Sequence, residues 1–382
     1  MCEESARAAG KTRPGSSDRE MHVVETTYTP VQAAGASKRA GELVRSVYLA
    51  YVEGRLRPID KSVDASRRDF LASMETQATS RLSRRELLFT SRCKGHCDES
   101  RKAAVQNDVG SACRSLSAAG LFANSRQIGA EARLLCRSEI APAEAYLDYC
   151  CGDFHQSRKR IFESLEIDQE LEERYGYRGT HAHRVHLLSR LVRVEERISG
   201  LPQAMRLAAE ALRYMSGTAN TVPAPGSWGP AYASSLPPGL FHFLAVQLIY
   251  EIADILAGAD SKSIREALDL LLGAFTFEGG EGFWNSRVRS WMELKFLSTG
   301  DHAAYLERCA GYLAGTADRI PALWYTAALD AALVCQALRP GEALPLKQEL
   351  VSDMSKLSYL PPRLRQRISR MRMELGRAPG TA

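Results

Sequence analysis

Five side chains carry the clearest chemical pattern in this chain. His183, His186, Arg190, Arg193 and Arg197 recur at spacings of three, four, three and four. At about 100° per residue this lines them along one side of a helix, with Leu187, Leu191, Val194 and Ile198 on the adjoining apolar face. Such a row can hold a carboxylate, a phosphate or an acidic peptide, because guanidinium offers paired donors to planar anions. The two imidazoles would make that grip sensitive to pH. The same row can instead face water or be neutralised within the chain. An acidic run, Glu163, Glu166, Asp168, Glu170, Glu172 and Glu173, lies just upstream.

Metal chemistry finds less support. Of His181, His183 and His186, only the last two share a helical face, so at most two ligands converge. Cys93-Lys94-Gly95-His96-Cys97 offers two thiols and an imidazole, but no second pair follows at zinc-site spacing, and Cys113 and Cys136 stand alone. Cys150-Cys151 reads as small apolar core. Gly10-Lys11-Thr12 imitates the end of a phosphate loop without the opening glycine or a preceding strand. No nucleophile elbow, zinc-protease pair or dinucleotide fingerprint occurs. No catalytic residue, metal or cofactor is assigned.

The elements that must position the basic row read as helices. Apolar periods of 3.6 residues meet at hinges, clearest at Gly152-Asp153-Phe154 and Gly300-Asp301-His302, with others at Gly200, near Ala259 and at Gly341. Five helical pairs follow from about residue 129, the first with a bend or break at Pro142. No sustained period-two alternation appears. The reading is all-α, an α-solenoid of helical hairpins. Its expected domains are a disordered tail at 1–37, a helical region at 38–128, the hairpin solenoid at 129–360, and a basic capping helix and tail at 361–382. In the 38–128 region, Asp64 resembles the cap of a long arginine-rich helix to about Phe89, and Val105, Val109, Ala112 and Leu116 form a weaker apolar period.

A Pro-, Gly- and Ser-rich stretch from Gly217 to Gly239 interrupts the hairpins, with Trp228 and Tyr232 as possible anchors of a lid or internal pseudo-ligand, against a plain insertion. Glu278 to Gly282 reads as a turn that sends Phe283 and Trp284 into the core. In the last helix, Arg363, Arg365, Arg367, Arg370 and Arg372 surround Leu364, Ile368, Met371 and Leu375, as expected of a cap over the end of a stack.

The segment from Gly152-Asp153-Phe154 through Leu165-Glu166-Ile167-Asp168 resembles the second half of a tetratricopeptide repeat. Ser157 and Ser164 stand at the small positions and Ile161 at the aromatic one. Gly200 with Ala204, Ala208, Ala211 and Leu212 supplies a second match. The resemblance implies a curved solenoid whose concave groove holds a peptide or partner segment.

Composition sets the outer bounds. The 382 residues, 45% hydrophobic and 25% charged, suit an ordinary globular chain, and a net charge of +5 does not imply nucleic acid. Forty of the 50 basic residues are Arg, which fits a GC-rich, bacterial genome. The longest apolar stretch, Leu240 to Leu256, is broken by His242, Gln247, Glu251 and Asp254 and therefore reads as a buried helix, not a membrane span. Nine scattered cysteines and no secretory signal suggest a cytoplasmic protein. The expected function is a non-catalytic scaffold, adaptor or regulator whose partner is a protein or peptide, an acidic one suiting the basic row that faces it. The alternative is a helical enzyme or biosynthetic accessory factor that binds a small anion between hairpins.

Overall fold

The Gly-Asp hinges start helices because aspartate caps them. Asp153 accepts the Gln156 N–H at 3.0 Å and Asp301 accepts that of Ala304 at 3.0 Å, each supplying one of the bonds a helix N-terminus lacks. In this computed structural model, the described residues are 34–56, 76–233, 240–274, 283–315, 321–357 and 361–377, and every regular element among them is helical. Residues 1–33 of the expected tail at 1–37, the Asp64 cap, the Glu278 to Gly282 turn and the Phe283 and Trp284 side chains lie outside them, whereas residues 34–37, expected in that tail, already belong to a helix.

The helices are α1 (Ala34–Arg55), α2 (Arg84–Val105), α3 (Val109–Ala123), α4 (Ala130–Cys150), α5 (Phe154–Tyr175), α6 (Gly179–Ile198), α7 (Leu201–Met215), α8 (Pro230–Ala233), α9 (Leu240–Ala257), α10 (Ser261–Ala274), α11 (Phe283–Leu297), α12 (His302–Ala314), α13 (Pro321–Leu338), α14 (Pro340–Met354) and α15 (Pro362–Arg377). A further helical piece occupies 76–81. No helix among the described residues is long and apolar enough to cross a membrane.

The chain forms two compact units. Residues 76–187 with 225–227 make the first; residues 34–56, 188–224 and the described residues from 228 onward make the second. The expected boundary near 128 falls inside the first unit, and the one near 360 inside the second. The division runs through α6, after Leu187.

In the first unit, α2 packs on α3 and α4, α3 on α4, and α4 on α5. The core between α2, α3 and α4 is built largely from Cys93, Cys97, Ala104, Ala112, Ala119, Ala132, Cys136 and Ala143, small side chains that let the helices approach closely. The arginine-rich stretch expected to run on to Phe89 breaks at Leu82-Ser83, where a capping box starts α2 instead. Ser83 accepts the Glu86 N–H at 3.3 Å and the Glu86 carboxylate accepts that of Ser83 at 3.0 Å. Val105 and Val109 flank the α2–α3 turn and are exposed, while Ala112 and Leu116 are core. Pro142 leaves α4 continuous over its 21 residues.

The second unit is organised around α13, whose residues 322–332 are buried without interruption. A helix apolar on all sides needs neighbours on all sides. It has them in α1, α9, α11, α12 and α14. The first helix among the described residues thus packs with three of the last ones, α12, α13 and α14. Tyr51 stacks on Trp324 with ring centroids 4.9 Å apart and donates to Asp353 at 2.8 Å. Gly54 lets α1 approach α12 closely, because a Cβ there would lie 2.0 Å from the Leu313 carbonyl oxygen. In α15, Leu364, Ile368 and Met371 are buried, and the helix lies on α9 and α14.

Candidate functional site

The basic row occupies one side of α6, and the structure pairs several of its members. His183 and His186 belong to the first unit. His183 Nδ1 shares a 2.7 Å hydrogen bond with Asp168 Oδ2. Asp168 is fully buried and also accepts from the Ser138 hydroxyl. The His186 ring lies 6.4 Å from that of His183 at 23°. Arg190, Arg193 and Arg197 belong to the second unit. Arg190 is half-buried. Arg193 closes its fork on Glu251, with Nε donating to Oε2 at 2.7 Å and Nη2 to Oε1. Arg197 is exposed, with Nε 3.3 Å from Glu196. An incoming anion would compete with Asp168, Glu251 and Glu196 for this row.

The acidic run upstream meets a different set of bases. Arg184, off the row and fully buried, places Nη1 3.0 Å from Glu172 Oε2, and the His181 ring lies 3.8 Å from the same oxygen. Arg184 Nη2 donates to the carbonyl of Ser227. Gln169 completes the contact in both directions. Its Oε1 accepts the Ser227 N–H at 2.9 Å, and its Nε2 donates to the Ser227 hydroxyl at 2.8 Å. Gly226 makes this seat possible. Its φ is +108°, and a Cβ would lie 2.7 Å from Arg184 Nη2 and 2.8 Å from Gln169 Oε1. Ser227 of the Gly217 to Gly239 stretch is therefore held through its main-chain N–H and C=O and its hydroxyl.

The expected anchors Trp228 and Tyr232 both lie in the second unit. Trp228 is half-buried, donates Nε1 to the Ala224 carbonyl at 3.1 Å, and meets Tyr214 of α7 edge-on at 5.4 Å. Tyr214 in turn donates to the Gly229 carbonyl at 3.2 Å. These contacts fix the loop to α7 within the second unit. Tyr232 is half-buried on α8.

The second unit holds a cavity of about 300 Å³ lined by Arg193, Gln247, Tyr250, Glu251, Asp254, Pro361 and Pro362. Four of these fall on α9 at i, i+3, i+4 and i+7, a polar strip on a helix whose Phe243 to Val246, Leu248, Ile249, Ile252 and Ala253 are buried. Asp254 Oδ1 accepts the Arg363 N–H at 2.9 Å, capping the first turn of α15 from a distance. Burial raises the Asp254 carboxyl above its ordinary pKa, against the pull of the Arg363 N–H and guanidinium. Arg363 fastens the same end, donating to both oxygens of Glu196 at 2.9 Å and to the Ile255 carbonyl at 2.9 Å.

A buried ion triad lies elsewhere in this unit. Lys295 Nζ is 2.8 Å and Arg367 Nη2 2.7 Å from opposite oxygens of Asp330 on α13. Burial alone would raise the Asp330 pKa, but the two cations overcome it and hold the carboxyl below its ordinary value. Among the expected α15 arginines, Arg363 and Arg367 are thus engaged inward, and Arg365, Arg370 and Arg372 are exposed.

The thiol cluster does not assemble as a zinc site. Cys93 and Cys97 are buried core residues beside Cys136, whereas His96 turns to Glu99 at 3.0 Å and stacks on Phe122 at 5.7 Å. No group of three or more His, Cys, Asp or Glu arranged for a metal occurs among the described residues. Cys150 and Cys151, expected in the core, are exposed because α4 ends there.

Sequence reasoning passed over Gln169, Arg184, Gly226, Ser227, Gln247, Tyr250 and Asp254 as site residues. A signal existed for the α9 strip, since its polar breaks recur at helical spacing. None existed for Gln169 with Ser227, which lie 58 residues apart. Comparison with protein-family models, curated proteins and solved structures finds no match to the chain.

Proposed function

We propose that this protein is a non-catalytic binding scaffold of tetratricopeptide-like helical hairpins, whose faces hold protein or peptide segments. The observation that supports this most is the seat on α5 and α6 in the first unit. Gln169 and Arg184 there take the N–H, hydroxyl and carbonyl of Ser227 as they would take those of a peptide. Main-chain recognition of this kind supplies affinity, and the positive φ and close contacts at Gly226 favour glycine at that position, which supplies selectivity. A partner segment carrying a Gly-Ser pair would compete with residues 225–227. Those residues are tethered, so the competitor faces an effective concentration on the order of millimolar.

The test removes the tethered occupant. In the full chain, Gly226→Ala puts a side chain on a residue held at φ +108°, which strains the seated conformation and favours release of the segment. A fluorescent peptide with the sequence of residues 222–229 should then bind the folded variant, read by anisotropy, and bind the original protein far more weakly. Gln169→Ala added to Gly226→Ala should abolish that binding. A folded Gly226→Ala protein that takes up no peptide refutes the reading.

A further inference from the structure

We propose that the α9 cavity of the second unit binds a compact organic cation, an ammonium or guanidinium group, between the Asp254 carboxylate and the Gln247 amide oxygen. The inference is independent of the peptide seat, which belongs to the first unit.

The lining decides the sign of the ligand. Among the described residues it contains one cation, Arg193, and two carboxylates, Glu251 and Asp254. Arg193 places two of its N–H groups on both oxygens of Glu251, so this pair is already satisfied. What remains is acceptor-rich. Asp254 receives the Arg363 N–H on Oδ1 only. The Gln247 amide makes no hydrogen bond among the described residues. Pro361 and Pro362 have no N–H to offer an anion, and their rings give an apolar wall. A donor-bearing cation meets complementary groups on each side, whereas an anion meets Asp254 and finds the guanidinium occupied. The elevated pKa of Asp254 agrees, since it marks a carboxylate without sufficient compensation for its burial. A volume of about 300 Å³ admits a small amine or one long basic side chain.

Isothermal titration of the full-length protein separates the sources. Agmatine and putrescine probe free cations, N-acetyl-arginine amide and N-acetyl-lysine amide probe a partner's side chain, and succinate serves as the anion. At least one cation should bind saturably and succinate should not. Asp254→Asn keeps an acceptor for the Arg363 N–H and removes the charge, so affinity should fall about tenfold or more. Gln247→Leu disturbs no structural hydrogen bond and should weaken binding about threefold or more, which keeps the test decisive if Asp254→Asn fails to fold. Heat from succinate alone, no binding of any cation at millimolar concentration, or cation binding untouched in both variants would overturn the proposal. Because the peptide of residues 222–229 is titrated separately, loss of either proposal leaves the other standing.

Discussion

Replacing Asp148 by Asn should stabilise the protein at neutral pH and do little in acid. Asp148 sits in the last turn of α4, half-buried, with Oδ2 buried and without a hydrogen-bond partner among the described residues. Burial raises its carboxyl to about 6, with the Arg160 charge opposing and Asp153 adding to the rise. Against the ordinary aspartate value of 3.8, that rise corresponds to ~3 kcal/mol at about 1.4 kcal/mol per pH unit. A half-exposed side chain is screened by water, which leaves about 1 kcal/mol. The folded pKa lies above the unfolded one, so the stabilising contribution is complete below about pH 4 and is lost as pH rises through about 6. Asn stays neutral throughout and escapes that loss. Urea unfolding should be followed by far-UV ellipticity, because all four tryptophans lie at or beyond position 228 and report on the second unit. The variant should exceed the original by about 1 kcal/mol near pH 7.5, and most of that margin should vanish near pH 4. An equal margin at both pH values, or a less stable variant at pH 7.5, would refute the reasoning.

Two further substitutions probe the second unit. Asp330→Ala strands the buried Lys295 and the half-buried Arg367 without their carboxylate and should cost about 3–5 kcal/mol, measured by tryptophan-detected urea unfolding. Gly54→Ala drives a Cβ against the Leu313 carbonyl and the Trp324 ring, and a loss of about 1–3 kcal/mol with a changed tryptophan emission should follow. An unchanged melting profile in either would contradict the packing described for α1 or α13.

The helices from residue 130 onward are legible in the sequence because each carries its own start and stop. Asp153 and Asp301 cap, Pro202 and Pro340 open first turns, and the apolar residues keep a 3.6 period. Val105 and Val109 mislead because they lie beside a turn, where helical period no longer implies a buried face. Cys150 and Cys151 mislead for the same reason at the end of α4. The basic row is legible as a row, but not its pairing. Helical spacing fixes which side chains share a side, whereas Arg193 meets Glu251 across 58 positions, a distance that only tertiary packing closes. The α9 strip shows a signal read for one purpose that serves another. Gln247, Glu251 and Asp254 interrupt an apolar run, and the regularity of those interruptions places them together on a cavity.

The packing of α1 against α12, α13 and α14 has consequences for biosynthesis. A chain emerging from the ribosome presents α1 early, yet the surfaces that cover Val44, Val47 and Tyr51 are translated some 250 to 300 positions later. The described residues of the first unit, contiguous but for 225–227, can mature while α1, which belongs to the second unit, is still waiting. Closure of such distant contacts is slow, and an early helix with its greasy side unclothed is the stage of manufacture most exposed to aggregation and most in need of a chaperone.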